Sequence, residues 1–131
     1  MMTTVQALVW SGILTFLMLL VASAMCARPW APGGVQIAFG NRENLPTASG
    51  PAGRADRAAR NMLEGMVLFL AAVLAAHMAG KGAQAATGAT IFFWARLFYW
   101  PLYLAGIIYL RTAVWFVSII GVAMIVWAIW Q

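Results

Sequence analysis

Four apolar stretches, each close to the length that a helix needs to cross a bilayer, dominate this chain of 131 residues. They run from about Val5 to Ala27, Arg57 to Ala79, Ala89 to Tyr109, and Ala113 to Trp130. A helix needs ~20 residues to cross a hydrocarbon core of ~30 Å. Hydrophobic residues make up 64% of the sequence and charged residues only 8%, which excludes an ordinary soluble domain. The sequence therefore predicts an all-α membrane protein: a four-transmembrane-helix bundle that forms a single domain over residues 1–131.

The distribution of basic residues predicts the orientation of this bundle. The Pro- and Gly-rich segment 28–56 is typical of a loop. It contains Arg28, Arg42 and Arg54, and Arg111 lies between the last two stretches. The positive-inside rule places both of these connections in the cytoplasm and both termini outside, in the periplasm or a lumen. The net charge of +5 thus follows membrane topology, and no nucleic-acid partner is expected.

Three single features have simple interpretations. Ala22-Ser23-Ala24 resembles a signal cleavage site, but no Lys or Arg precedes Arg28, so we expect a retained first helix. Cys26 is the only cysteine, so no intramolecular disulfide can form. The only histidine, His77, has no second ligand spaced for a metal, and no metal site is expected.

Polar residues open the second stretch, where a membrane helix should be apolar. Arg57, Asn61 and Glu64 follow i, i+4 and i+7 spacing, which places them on one helix face. Asp56 and Arg60 form a second i, i+4 pair on an adjacent face. Such residues are costly in a bilayer and survive where they face a partner charge or a polar cavity. They are expected either to fix helix packing or to form a site.

The third stretch contains a second polar set. Arg96, Tyr99 and Tyr103 share a face, and Pro101 between the tyrosines predicts a kink or a local loosening of the helix. Since the second and third helices are antiparallel, Glu64 can reach the depth of Arg96, and we expect a structural ion pair between them. The two sets together predict a cleft lined by cations, an amide and phenols. Such a cleft suits a small anionic, peptide-like ligand, and the apolar helix faces nearby would admit a lipophilic second molecule.

Small residues predict how the helices meet. Ala71, Ala75 and Ala79 recur every four residues in the second stretch, with Ala72 and Ala76 beside them. This spacing favours close helix approach in lipid, within a tight bundle or an oligomer.

The motifs Arg57-x-x-x-Asn61-x-x-Glu64 and Arg96-x-x-Tyr99-x-x-x-Tyr103, with four stretches of this length and order, resemble the MAPEG family in its bacterial-type form. MAPEG proteins are membrane-associated proteins of eicosanoid and glutathione metabolism. The resemblance implies a homotrimer that binds glutathione as cosubstrate between subunits, near the cytoplasmic side. One subunit would supply Arg57, Asn61 and Glu64. Its neighbour would supply Tyr99, Tyr103 and Arg111, and Arg28 would join them.

The resemblance also implies a chemistry. A thiol with a pKa of about 8.5 becomes a nucleophile as its thiolate, which an adjacent guanidinium favours. Arg111 is the expected activating residue, and Thr112 the expected hydroxyl donor to the same sulfur. The thiolate would attack a lipophilic electrophile or a lipid hydroperoxide, which makes the predicted function a glutathione transferase or peroxidase.

Two alternatives stay open at this point. The chain could be a non-catalytic MAPEG-like membrane protein that serves as a partner subunit or a lipid-binding element. A channel lined by Glu64 and Arg96 is disfavoured, because their opposite charges would neutralise each other.

Family members often carry polar residues where this chain has Ala59 and Gly65.

Overall fold

A computed structural model describes residues 1–131 as five α-helices. Their bounds are Thr4–Ala27 (α1), Gly34–Phe39 (α2), Gly50–Met78 (α3), Gly82–Ala105 (α4) and Ile108–Ile129 (α5). The four long helices alternate in direction. One end of the bundle holds residues 28–49 and the turn at 106–107, and is called the long-loop end. The opposite end holds both termini and residues 79–81, and is called the termini end.

The first helix covers the first predicted stretch and has a defined start and stop. Thr3 caps α1 through a reciprocal capping box: its hydroxyl accepts from the Gln6 amide at 3.2 Å, and its own amide donates to the Gln6 side chain at 3.0 Å. The helix stops at Arg28, which adopts a left-handed conformation with φ 50°. At the termini end, the Thr4 hydroxyl donates to the Gly82 carbonyl and joins α1 to α4.

The predicted loop 28–56 is shorter and more ordered than its composition suggests. It contains the helix α2, and α3 already begins at Gly50 with Pro51 in its first turn, instead of at Arg57. Proline is well tolerated in a first helical turn because the amide there lacks a helical partner in any case. The Pro- and Gly-rich composition thus marks the start of α3 as well as the loop before it.

The boundary between α4 and α5 also differs from the prediction. Pro101 lies inside α4, which continues as one helix to Ala105. Gly106 then adopts φ 78° and ends the helix, and α5 starts at Ile108 instead of Ala113. A left-handed φ is accessible to glycine at little cost, which explains the sharp stop. As a result, Arg111 lies in the first turn of α5, not in a connection.

The helices pack through small residues and stacked aromatic rings. A Cβ atom on Gly88 would lie 2.5 Å from the Gly121 carbonyl oxygen, and one on Gly121 would lie 2.7 Å from the Gly88 oxygen. The backbones of α4 and α5 are therefore in direct contact. Between α3 and α4, the rings of Phe69 and Phe92 stack with centroids 4.0 Å apart.

The alanine stripe of α3 divides between the inside and the outside of the bundle. Ala72 and Ala76 are buried, whereas Ala71, Ala75 and Ala79 are exposed in the single chain. Ala72 and Ala76 thus make the predicted close packing within the chain, whereas the stripe of Ala71, Ala75 and Ala79 faces outward.

The outer surface of the bundle is apolar. Phe16, Val67, Phe98, Phe116 and Trp127 are each more than half exposed. By length and composition, α1, α3 and α5 could each cross a membrane. The fourth long helix, α4, has 24 residues but falls short of the same apolarity, so a fourth crossing stays a prediction. The fold is an all-α bundle of the membrane type.

Candidate functional site

Arg96 occupies a notch between α4 and α3. Only 1% of its surface is exposed. Its guanidinium crosses α3 at Gly65, where a Cβ atom would lie 2.4 Å from Nη2. Its Nη1 donates a hydrogen bond to Oδ1 of Asn61 at 2.7 Å. Because Gly65 has no side chain, α3 leaves room for this cation inside the bundle.

The predicted ion pair between Glu64 and Arg96 is not formed within the chain. Arg96 contacts Asn61 instead, and Glu64 is exposed on the outer side of α3. The reason is the rotation of the helix: Asn61 and Gly65, four residues apart, face α4 together, whereas Glu64 lies about 100° from Gly65 and about 60° from Asn61, toward the outer side of α3. The one ion pair in the structure joins Arg60 Nε to Asp56 Oδ2 at 3.0 Å, and this i, i+4 prediction is confirmed.

Two aromatic rings complete the surroundings of Arg96. Its guanidinium carbon lies 5.4 Å from the ring centres of both Phe92 and Tyr99, within the range of cation–π attraction. Its Nε has no hydrogen-bond partner. The cation is thus held by one amide and two rings, with no carboxylate beside it.

The aromatic contacts continue from Arg96 to the first turn of α5. The rings of Tyr99 and Tyr103 meet edge to face with centroids 5.4 Å apart. The guanidinium carbon of Arg111 lies 4.4 Å from the centre of the Tyr103 ring. Side chains of three helices therefore form one connected row that runs from the middle of the bundle to the long-loop end. We call it the Asn61–Arg111 row; its members are Asn61, Arg96, Tyr99, Tyr103 and Arg111.

Three further predicted ligand residues lie outside the row, two of them near the long-loop end and one, Glu64, at the middle of α3. Arg57 and Glu64 are exposed on α3, and Arg28 is exposed where α1 ends. Arg57 lies back over the preceding turn, with Nη1 3.2 Å from the Cβ position of Gly53. No hydrogen bond or ion pair joins any of the three to another side chain of the chain.

Thr112 is placed differently from its predicted role. It is exposed on α5, and its hydroxyl donates to the Ile108 carbonyl at 2.9 Å. The single hydroxyl proton is therefore already committed to the helix backbone one turn earlier.

Sequence reasoning missed Arg54 as part of this region. Its Nε donates to the Leu104 carbonyl at 2.8 Å and joins the start of α3 to the end of α4. The sequence did contain a signal, because Arg54 precedes Asn61 by seven residues and must share the face of α3 that points toward α4. Arg54 was instead interpreted only as a basic residue that sets the orientation of the bundle in the membrane.

Three cavities of the single chain are lined by none of the residues of the row. Cavities of about 440 and 500 Å³ are at the termini end. A groove of about 410 Å³ lies on α4 near the long-loop end, lined by Leu97, Phe98, Trp100, Pro101 and Leu104. This groove is apolar throughout and flanks the turns that carry Tyr99 and Tyr103.

A comparison with family models identifies the chain. The model of the MAPEG family matches residues 7–130, nearly the whole sequence. The chain belongs to the MAPEG family. It is therefore an all-α membrane protein of the glutathione and eicosanoid metabolism kind, in a family that generally uses glutathione. Comparisons with curated proteins and with solved structures gave no match.

The MAPEG match confirms the resemblance recognised in the two motifs, and it spans every residue of the candidate site. Within this MAPEG chain, Gly65 leaves the space in which the Arg96 guanidinium lies. A larger residue there would occupy the space that the Arg96 guanidinium fills.

Proposed function

We propose that this protein is a glutathione-dependent membrane transferase or peroxidase that acts on lipophilic electrophiles or lipid hydroperoxides. The observation that carries the proposal is the placement of Arg111. Its guanidinium is held against Tyr103 in the same row as Asn61, while Arg57 near the long-loop end and Glu64 at the middle of α3 stand unpaired. Family membership supports glutathione as the ligand class, and this arrangement supports these residues as the groups that would bind it.

The charges of the region fit glutathione, which carries carboxylates, an amine and a thiol. Arg57 and Arg28 would bind carboxylates, since a guanidinium can donate two parallel hydrogen bonds. Glu64 would bind the amine. Asn61 already accepts from Arg96 through Oδ1, so its amide NH₂ is the part left to donate to the tripeptide. The phenols of Tyr99 and Tyr103 would add hydrogen bonds beside it.

Arg111 would stabilise the thiolate. It lies in the first turn of α5, where the helix dipole adds a positive partial charge to that of the guanidinium. Both favour the deprotonated sulfur, which is the nucleophile. Thr112 would add a hydroxyl donor only if its hydrogen bond to Ile108 opened.

The two reactions share one thiolate. In transfer, the sulfur forms a bond to an electrophilic carbon, and the leaving group departs with the bonding electrons. In the peroxidase reaction, the sulfur takes one oxygen of the hydroperoxide, and the alkoxide leaves and gains a proton. A second glutathione then reduces the sulfenic product to a disulfide and water. The apolar groove on α4 beside Tyr99 and Tyr103 suits the lipophilic partner in either case.

The complete site would require two chains of a homotrimer. Arg57 and Glu64 face outward from α3, on the side where Ala71 and Ala75 are also exposed. Small outward residues allow a second chain to approach closely in lipid. A neighbour could then bring its Tyr99, Tyr103 and Arg111 to the Arg57 and Glu64 of the first chain. In this assembly the long-loop end lies in the cytoplasm and both termini lie outside.

The test compares Arg111→Ala with Arg60→Ala in detergent-purified protein. Arg60 is an exposed arginine paired with Asp56 and has no place in the proposed site. Two signals are followed: the ultraviolet absorbance of the thiolate on adding glutathione, and conjugation to a generic aromatic electrophile. Loss of one preorganised charge stabiliser typically costs ~10²–10³ in rate, so we expect at least a hundredfold loss for Arg111→Ala and little change for Arg60→Ala. Folded wild type with neither signal would instead favour a non-catalytic partner subunit or lipid-binding element.

A further inference from the structure

The turn between α4 and α5 is closed by three hydrogen bonds, and one of them comes from a distant helix. The Ile107 amide donates to the Leu102 carbonyl and the Gly106 amide donates to the Tyr103 carbonyl, both at 3.1 Å. The next carbonyl, that of Leu104, accepts from Arg54 Nε at 2.8 Å. The last carbonyls of a helix have no partner inside it, so Arg54 satisfies a group that the turn itself leaves open.

The side chain of Arg54 also lies beside Gly106. Its Cδ, Nε and Cζ atoms lie 3.7–3.8 Å from the position that a Cβ atom would take on Gly106. Gly106 has φ 78°, the conformation that redirects the chain from α4 into α5. A cation at the negative end of the α4 dipole is further stabilised by that dipole. Arg54 therefore holds the turn by a hydrogen bond and by charge.

This turn sets the relation between two residues of the proposed site. Tyr103 is the third residue before Gly106, and Arg111 is the fourth after Ile107 and donates its amide to the Ile107 carbonyl at 3.4 Å. The stacking of Arg111 on Tyr103 therefore spans the turn that Arg54 holds. A small rotation at residues 106–107 would carry the Arg111 guanidinium away from the Tyr103 ring.

We infer that Arg54 is a positioning residue for thiolate stabilisation: it fixes the α4–α5 turn so that Arg111 and Tyr103 meet the glutathione sulfur in one geometry. This inference rests on the proposed function, but it assigns Arg54 no contact with glutathione. Its effect passes through the Leu104 carbonyl and Gly106.

The test measures the pH midpoint at which bound glutathione becomes a thiolate, at saturating glutathione. Arg54→Met removes the hydrogen bond and the charge, whereas Arg54→Gln removes the charge but keeps an amide donor for the Leu104 carbonyl. Arg60→Met is the matched control on the same helix. We expect Arg54→Met to raise the midpoint by about one unit, which is a tenfold loss of thiolate below the midpoint. Arg54→Gln should raise it by less than half as much, and Arg60→Met should leave it unchanged.

A second variant separates the turn from the charge of Arg54. Gly106→Ala keeps Arg54 but disfavours the left-handed conformation of the turn, so it should also raise the midpoint. This variant decides the outcome if Arg54→Met does not fold. An unchanged midpoint in Gly106→Ala, or equal shifts in Arg54→Met and Arg54→Gln, would overturn the inference and leave the proposed function intact. Absence of a thiolate signal in folded wild type would overturn both.

Discussion

At the scale of single residues, the buried guanidinium of Arg96 governs how Asn61 can act. A cation at the centre of a membrane helix costs about 2.5–3.5 kcal/mol on insertion scales. In this chain the cost is offset by the Asn61 hydrogen bond and by the rings of Phe92 and Tyr99, without a carboxylate. The oxygen of the Asn61 amide therefore serves the fold, while its NH₂ group makes no hydrogen bond within the chain and is left for the proposed ligand.

Gly65→Ala tests the notch that admits Arg96. The added methyl group would lie 2.4 Å from Nη2 and 3.0 Å from Cζ of Arg96. A guanidinium is the end of a flexible side chain, but this one is buried between two rings and cannot swing away freely. We expect a loss of about 1–3 kcal/mol in the free energy of unfolding, the usual range for overpacking. The measurement is denaturant titration in detergent.

Gly12→Ala is the matched control for this substitution. Gly12 lies inside α1 with nothing within 4 Å of its Cβ position. Alanine is favoured over glycine inside a helix, so this variant should be as stable as wild type or slightly more stable. If the free energy of unfolding of Gly65→Ala equals that of Gly12→Ala, then the packing of Arg96 does not depend on the space beside Gly65.

At the scale of helices, the contact between α4 and α5 depends on two glycines that touch through backbone atoms. In Gly88→Ala the methyl group would lie 2.5 Å from the Gly121 carbonyl oxygen, and a backbone atom cannot rotate away as a side chain can. The two helices must separate, so we expect a loss of about 3 kcal/mol or more in the free energy of unfolding. Gly82→Ala, at the start of the same helix, meets only a His77 nitrogen at 3.4 Å and should be nearly neutral. Equal stability of the two variants would contradict the backbone contact.

The helix boundaries show what the sequence could predict and what it could not. Apolarity predicted the existence of all four long helices, because a run of about 20 apolar residues is a strong signal. It placed the start of α4 at Ala89, whereas the helix begins at Gly82. It misplaced the start of α5, since Gly106 ends α4 through its φ of 78°, and apolar residues continue on both sides of that turn. It also missed α2 and the early start of α3, where Pro and Gly were interpreted as loop residues throughout. Composition indicates which segments are apolar enough to lie in lipid. The backbone conformation at particular residues decides where each helix begins and ends.

The candidate site shows the same division between local and long-range information. The spacing of Asp56 and Arg60 predicted an ion pair that the structure contains, because both residues lie on one helix. The expected pairing of Glu64 with Arg96 depended on how α3 is rotated against α4, and the absence of a side chain at Gly65 decides that contact in favour of Asn61. The bond between Arg54 and Leu104 joins residues fifty positions apart: spacing within α3 indicates the face on which Arg54 lies, but not the residue that it contacts.

At the scale of the whole molecule, the question is whether one chain or two complete the proposed site. In one chain, Arg111 stacks on Tyr103 while Arg57 stands exposed on α3, with no side-chain hydrogen bond or ion pair to link it to them. A homotrimer would join the Arg57 of one chain to the Arg111 of its neighbour. Two mixtures of variants distinguish this arrangement from a site within one chain.

The first mixture combines equal amounts of Arg57→Ala and Arg111→Ala chains, and the second combines wild type with the double variant Arg57→Ala/Arg111→Ala. If each site takes Arg57 from one chain and Arg111 from the next, random assembly leaves both arginines in about a quarter of the sites in either mixture. If one chain supplies both, the first mixture has no intact site and the second has about half. We therefore expect the two mixtures, made by co-expression and assayed with glutathione and an aromatic electrophile, to show equal activity near a quarter of wild type. Activity in the second mixture alone would place both arginines of a site on the same chain.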